Sequence, residues 1–216
     1  MHEGFLKEKA TLVEIAKFIF PTYSPEIEEE LVSFGLTRAY SIGGTTLGRY
    51  KVLGKGKTGV VVLTEDGLAL KIRRTDSPKE SLELEARLQM RAERSAPRVV
   101  KFGRNFILME YVQGRHLDYV ESTEVITDLL LRAGYLESVN LEHKELVHPW
   151  KNVIVTQGRT YILDYDSVSV KERPFNVNRI LNAFGFHDLA RAYKKGEIDL
   201  DEVLKRIQTS YPSTSG

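Results

Sequence analysis

Glycines at positions 54, 56 and 59, with Lys55, Lys57 and Thr58 between them, make up the stretch whose residue types could most directly do chemistry. Closely spaced glycines let backbone N–H groups approach an anion, and neighbouring lysines balance its charge, so the loop reads as a phosphate cradle. Two common versions of such a cradle do not fit. One needs the glycines to open a helix whose N-terminus faces a pyrophosphate, but the β-branched run Val60-Val61-Val62-Leu63 follows instead. The other needs a glycine five positions before Gly56-Lys57-Thr58, and Lys51 stands there. After the turn Glu65-Asp66-Gly67, the run Leu68-Ala69-Leu70-Lys71-Ile72 carries one ammonium inside an apolar strand. Burying it unpaired costs several kcal/mol, which a phosphate and a partner carboxylate would offset; the alternative is an edge-strand lysine that reaches water. Farther on, Asp164 ends the apolar strand Thr160-Tyr161-Ile162-Leu163, a place that suits a carboxylate binding a cation.

The elements that must position these residues follow from periodicity and punctuation. Val60 to Leu63 and Leu68 to Ile72 predict two antiparallel strands, and Pro97–Phe102 and Phe106–Val112 predict two more. Ser77-Pro78 reads as the N-cap and first turn of a helix to about Arg94, in which Glu85 shares a face with Leu82 and Leu88. That places Glu85, in preference to Glu83, where it can meet Lys71. Leu6, Ala10, Val13, Ile15, Ala16 and Ile19 predict a helix over residues 5–19, and Ser24-Pro25 opens a second that ends near Phe34-Gly35. These helices form an extension over residues 1–35. It reads as packing structure, with half of a DNA-binding helix-turn-helix as the alternative; its few lysines, Lys7, Lys9 and Lys17, are outnumbered by acids. From Ser122 a helix bearing Val125, Ile126, Leu129, Leu130 and Ala133 leads to His143-Lys144-Glu145-Leu146, and further helices follow over 177–184, 187–194 and 200–207.

Composition bounds the classes. The 216 residues suffice for one sizeable core or two small lobes around a cleft. There are no cysteines, which excludes disulfides and thiolate metal sites and suits a reducing cytoplasm. A formal charge of +1 makes no case for nucleic acid as a partner, and no apolar run approaches the ~18 residues of a membrane span.

Gly54 to Gly59 with Val61 matches G-x-G-x-x-G-x-V, and Leu68 to Ile72 resembles V-A-I-K. His143-Lys144-Glu145-Leu146 stands in the H-R-D-L place with glutamate for aspartate. Asn152 follows two residues later than in H-R-D-L-x-x-x-N, and Asp164-Tyr165-Asp166 occupies the D-F-G position. From about Tyr50 to Val170 the chain thus resembles the small atypical protein kinases of archaea, near the RIO group and the kinase of the KEOPS complex. The resemblance implies an α+β, two-lobed protein-kinase-like fold: a small antiparallel-sheet N-lobe over 36–112 and a short, mainly helical C-lobe over 113–216. It also implies an ATP-dependent serine/threonine protein kinase acting on a protein or on itself, with ATP and Mg²⁺ as cofactors. Gly54, Lys55, Gly56, Lys57, Thr58 and Gly59 would cover the phosphates. Backbone groups of Met109, Glu110 and Tyr111 would hold the adenine, Val61, Ala69 and Val112 would also contact the nucleotide, and Lys71 would hold the α/β-phosphates while paired with Glu85. Asp164 and Asn152 would bind Mg²⁺, and Glu145 would be the base. No A-P-E follows Asp166, so peptide-docking elements are not legible. A nucleotide-gated scaffold without turnover and a phosphotransferase for small molecules or RNA remain open.

Overall fold

Short apolar runs broken by turn residues dominate the chain as far as Met109, and they fold as strands. The structure, a computed structural model, describes residues 10–210. The chain divides into two units, one reaching to Arg87 and taking in Val99–Tyr111, the other made of Leu88–Arg98 and the residues from Val112 onward. The fold is α+β, with an antiparallel sheet in the first unit and mainly helices in the second.

In the first unit the strands are β1 (Thr11–Glu14), β2 (Arg38–Ser41), β3 (Thr45–Leu47), β4 (Tyr50–Val52), β5 (Gly54–Lys55), β6 (Gly59–Thr64), β7 (Ala69–Arg73), β8 (Val99–Phe102) and β9 (Phe106–Met109). The main sheet runs β1-β2-β6-β7-β9-β8, every neighbour antiparallel, and β5 also pairs with β6. Period-two alternation sorts the side chains. Val60, Val62, Leu70 and Ile72 share a core with Ile15, Phe18 and the helix α1 (Pro25–Ser33) through Ile27 and Leu31. On the opposite parity Lys71 pairs across to Val61 and Ile107, and Ile107 packs against Leu82 and Ala86 at the start of the helix α2 (Glu83–Arg91). Each fully buried aliphatic side chain contributes about 1.5–3 kcal/mol relative to exposure.

Two predicted helices are corrected. The helix expected over 5–19 is instead strand β1 followed by a 3-10 turn over Ile15–Phe18; residues 5–9 lie outside the described residues. A four-residue run such as Thr-Leu-Val-Glu satisfies either period, and pairing with β2 selects the strand. The helix expected from Ser77-Pro78 begins at Glu83, where the Ser81 hydroxyl accepts the Glu83 N–H at 3.1 Å. It ends at Arg91. The Ser24 cap does form, its hydroxyl accepting from the Ile27 N–H.

In the second unit Ser122 caps the helix α3 (Thr123–Ser138), which buries Val125, Ile126, Leu129, Leu130, Ala133 and Leu136. Around it lie β10 (Arg115–His116), β11 (Leu141–His143), β12 (Val153–Thr156), β13 (Arg159–Ile162) and β14 (Val168–Val170), then α4 (Asn176–Ala183), α5 (His187–Lys194) and α6 (Leu200–Ser210). Strands β10, β12 and β13 form one small sheet; β11 pairs with β14. Glu137 of α3 is a strut, accepting from the Val177 N–H at 2.8 Å and from the Tyr193 hydroxyl. Burial holds its carboxyl above the usual range. Among the described residues no helix is long and apolar enough to cross a membrane.

Candidate active site

In the first unit the site is built on the β6–β7 hairpin. Lys71 Nζ donates to Glu85 Oε1 at 2.6 Å, with side-chain exposures of 9% and 2%. The sheet's parity sends Lys71 to the face that α2 covers, and the helix turns Glu85 toward it with Leu82 and Ala86 alongside. Glu83 is instead exposed.

Gly59 belongs to the same arrangement. A Cβ there would lie 2.8 Å from Lys71 Cγ and 2.9 Å from both Lys71 Cε and the Ile72 carbonyl oxygen. The third glycine therefore makes room for the lysine stem as it crosses the start of β6. The loop closes on itself through the Gly56 N–H, which donates to the Gly59 carbonyl at 2.9 Å. Thr58 is buried and its carbonyl accepts from the Arg74 N–H at 2.9 Å. Val61 sits opposite Lys71, and Ala69 opposite Met109 at the end of β9. Glu110 and Tyr111 follow as irregular backbone, with burial raising the Tyr111 phenol.

In the second unit the β12–β13 hairpin closes the long sequence gap between Asn152 and Asp164. Val153 pairs with Ile162 and the Leu163 N–H donates to the Asn152 carbonyl at 2.8 Å, so both residues stand at the same end of the hairpin. Asp164 takes left-handed backbone, φ 63° and ψ 79°. A non-glycine residue there costs on the order of 1–3 kcal/mol, and such strain concentrates at functional sites. His143 supports this corner. Its Nε2 lies 2.8 Å from the Leu163 carbonyl and its ring meets Tyr165 edge-on at 5.6 Å. Burial pushes the imidazole below its usual pKa, so it is neutral and donates Nε2–H.

The interval between Glu145 and Asn152 exceeds the familiar one because two 3-10 turns, Lys144–Val147 and Pro149–Lys151, follow in succession. They return Asn152 to Glu145: Nδ2 donates to Glu145 Oε2 at 2.8 Å. With the amide nitrogen so engaged, Oδ1 is the Asn152 atom that could hold a cation. Asp166 lies in the 3-10 turn Tyr165–Ser167. The oxygen set of Asp164 and Asn152 suits Mg²⁺, a hard ion that takes one or two protein carboxylates and completes its shell with phosphate and water. Among the described residues no group of three or more His, Asp or Glu stands ready to hold a metal by itself.

An open cavity of about 520 Å³ in the second unit, lined by Arg94, Asp128, Leu131, Arg132, Tyr135 and Arg159, contains none of the residues singled out from the sequence. Sequence reasoning placed neither Phe20 nor Arg74 in the site, although both contact the glycine loop from outside. Neither lies in a motif, and Phe20 reaches the loop only through tertiary contact.

No family model and no curated protein matches the sequence. Among solved structures, the chain is similar to the ternary complex of streptomycin, ATP and APH(2")-IIa, at 15% identity over 91% of this chain and 93% of that one, with a TM-score of 0.47. The two sequences are too far apart for any residue role to pass from one to the other.

Proposed function

We propose that this chain is an ATP-dependent phosphotransferase, and specifically a serine/threonine protein kinase of the small atypical kind that acts on a protein or on itself. The observation that carries this reading is the buried Lys71–Glu85 ion pair, 2.6 Å long, lying against a glycine that its lysine stem requires. Removing two charges from water costs several kcal/mol each, and hydrophobic residues of the same volume would serve the core at least as well. An ammonium presented beside a phosphate loop is the use that accounts for the expense.

In this reading the loop from Gly54 to Gly59, with Val61 and Ala69 below, receives the nucleotide. Backbone groups from Met109 through Glu110, Tyr111 and Val112 hold the adenine. Lys71 orients the α/β-phosphates, and Glu85 fixes the lysine rotamer. In the second unit Asp164 and Asn152 Oδ1 would hold Mg²⁺, which when bound supplies positive charge to the β- and γ-phosphate oxygens. An acceptor hydroxyl gives its proton to Glu145 as its oxygen bonds to the γ-phosphorus; the bridging bond to the β-phosphate breaks and ADP leaves. Glu145 reaches farther than an aspartate by one methylene, and its bond to Asn152 sets where its second oxygen can point.

That bond also favours a second reading, a nucleotide-binding scaffold without turnover, in which Glu145 serves only to orient Asn152. Incubation with γ-labelled ATP and Mg²⁺ separates the readings. Label in protein that disappears with Lys71→Ala supports the kinase, whereas ATP binding without transfer supports the scaffold. Label in a metabolite or RNA fraction would make the chain a phosphotransferase of another substrate class. No ATP binding at all would end the proposal.

A further inference from the structure

The glycine-rich loop is gripped from a direction that the nucleotide reading does not use. Thr75 N–H donates to the Phe20 carbonyl at 2.9 Å and Thr22 N–H to Thr75 Oγ1 at 3.1 Å, so residues 20–22 are laced to the segment that leaves β7. This fixes the Phe20 ring beneath two cations: Lys55 Nζ lies 5.3 Å from its centroid and the Arg74 guanidinium 5.0 Å. Both fall within the ~6 Å over which a ring face attracts a cation. The same guanidinium donates to the Gly56 carbonyl at 3.1 Å and forms a two-armed pair with Asp76, 2.7 Å in each arm. The Arg74 N–H bonds the Thr58 carbonyl. Lys57, by contrast, is exposed and makes no hydrogen bond or ion pair among the described residues.

We infer that Phe20 and Arg74 form a brace that holds the glycine-rich loop in its phosphate-receiving shape before ligand arrives. Lys55 is thereby a positioning residue occupied on the Phe20 ring, and Lys57 is the loop lysine left to meet a phosphate. The inference rests on the nucleotide reading for its functional half, because the phosphate is that of the proposed ATP. Its physical logic is preorganisation. A six-residue loop with three glycines loses much backbone freedom on binding unless protein contacts have already ordered it. It also gives the amino-terminal segment a task on the sheet in place of nucleic-acid binding.

The test uses the full chain with Phe20→Ala, Phe20→Tyr, Arg74→Ala, Lys55→Ala, Lys57→Ala and Lys71→Ala. Amide exchange is followed without ligand at Gly56 and Arg74, whose N–H groups close the loop, and in the β12–β13 hairpin as a control for global unfolding. Mg-ATP affinity is measured by calorimetry. Phe20→Ala and Arg74→Ala should speed exchange at both loop amides, leave the hairpin unchanged and weaken Mg-ATP about tenfold. Phe20→Tyr, which keeps the ring, should restore both. Lys57→Ala should weaken Mg-ATP without changing exchange, and Lys55→Ala should do the reverse order of harm, exchange before affinity. If Phe20→Ala leaves loop exchange and affinity at wild-type values, the brace is overturned while the nucleotide reading stands. If wild type binds no Mg-ATP and Lys71→Ala makes no difference, the nucleotide reading falls and takes the functional half of the brace with it.

Discussion

A side chain on residue 59 and the stem of Lys71 cannot occupy the same place: the first carbon beyond Gly59 Cα would lie 2.8 Å from Lys71 Cγ. The glycine motif and the lysine strand are therefore one packing unit, and changes at either should be felt at both.

Gly59→Ala should push Lys71 off its line to Glu85 or force β6 from β7, because one of the three close atoms is the backbone oxygen of Ile72. Overpacking of this kind costs about 1–3 kcal/mol. Denaturant titration should show that loss, and phosphate transfer should fall by more than the loss of folded protein explains. Wild-type activity in a folded Gly59→Ala protein would separate the loop from the lysine.

Glu85→Ala removes the carboxylate that compensates a nearly buried ammonium and should destabilise the fold by about 3–5 kcal/mol. Lys71→Met with Glu85→Leu replaces both charges by apolar groups of similar size, and should regain most of that stability while binding ATP no better than Lys71→Ala. Chemical denaturation and calorimetry on the single and double variants would check this. A double variant as unstable as Glu85→Ala alone would show that the pair belongs to the fold first.

Asp164→Asn keeps a residue type that tolerates left-handed backbone, so stability should stay within about 0.5 kcal/mol of wild type. Phosphate transfer should nevertheless disappear, because the amide offers a cation no charge. Asp164→Gly should be equally inactive and more stable by up to about 1 kcal/mol, since glycine adopts this backbone without strain. Measurable transfer by Asp164→Asn would remove the metal assignment.

His143 links stability to pH. Burial lowers its folded pKa below 6.5, so as pH falls through that value the unfolded chain takes up a proton that the folded chain refuses. Stability from this group is full above about pH 6.5 and declines below it, by at most ~1.4 kcal/mol per pH unit, until the depressed folded value is reached. Glu121 and Glu142, whose carboxyls are held below 4.5 by Arg115 and by Lys171 and Arg179 against the opposing effect of burial, begin to lose their contributions only in more acidic solution. Urea melts between pH 7.5 and 5 should show the decline in wild type, and His143→Gln should flatten it. Parallel curves would place the titration elsewhere.

What could be read along the chain was what short-range physics controls. The strand–loop–strand around Gly54 to Lys71, the Ser24 cap, the helix from Ser122 and the strand leading to Asp164 all declare themselves through alternation, turn residues and a hydroxyl placed to accept an N–H group. Where two local answers were equally good, distant partners chose. Thr11–Glu14 became a strand because β2 offered its edge; the start of α2 at Glu83 rather than near Pro78 was instead a local matter, marked by the Ser81 hydroxyl. Glu85 was already preferred to Glu83 through the face it shares with Leu82 and Leu88, and docking of α2 on the sheet's lysine-bearing face brought it to Lys71. The left-handed turn at Asp164, the bond from Asn152 to Glu145 and the Phe20 brace carry no local signature. The brace in particular depends on groups far apart in sequence, Phe20 with Lys55 and Arg74, brought within a few ångströms, and that proximity is a property of packing rather than of any neighbouring pair of residues.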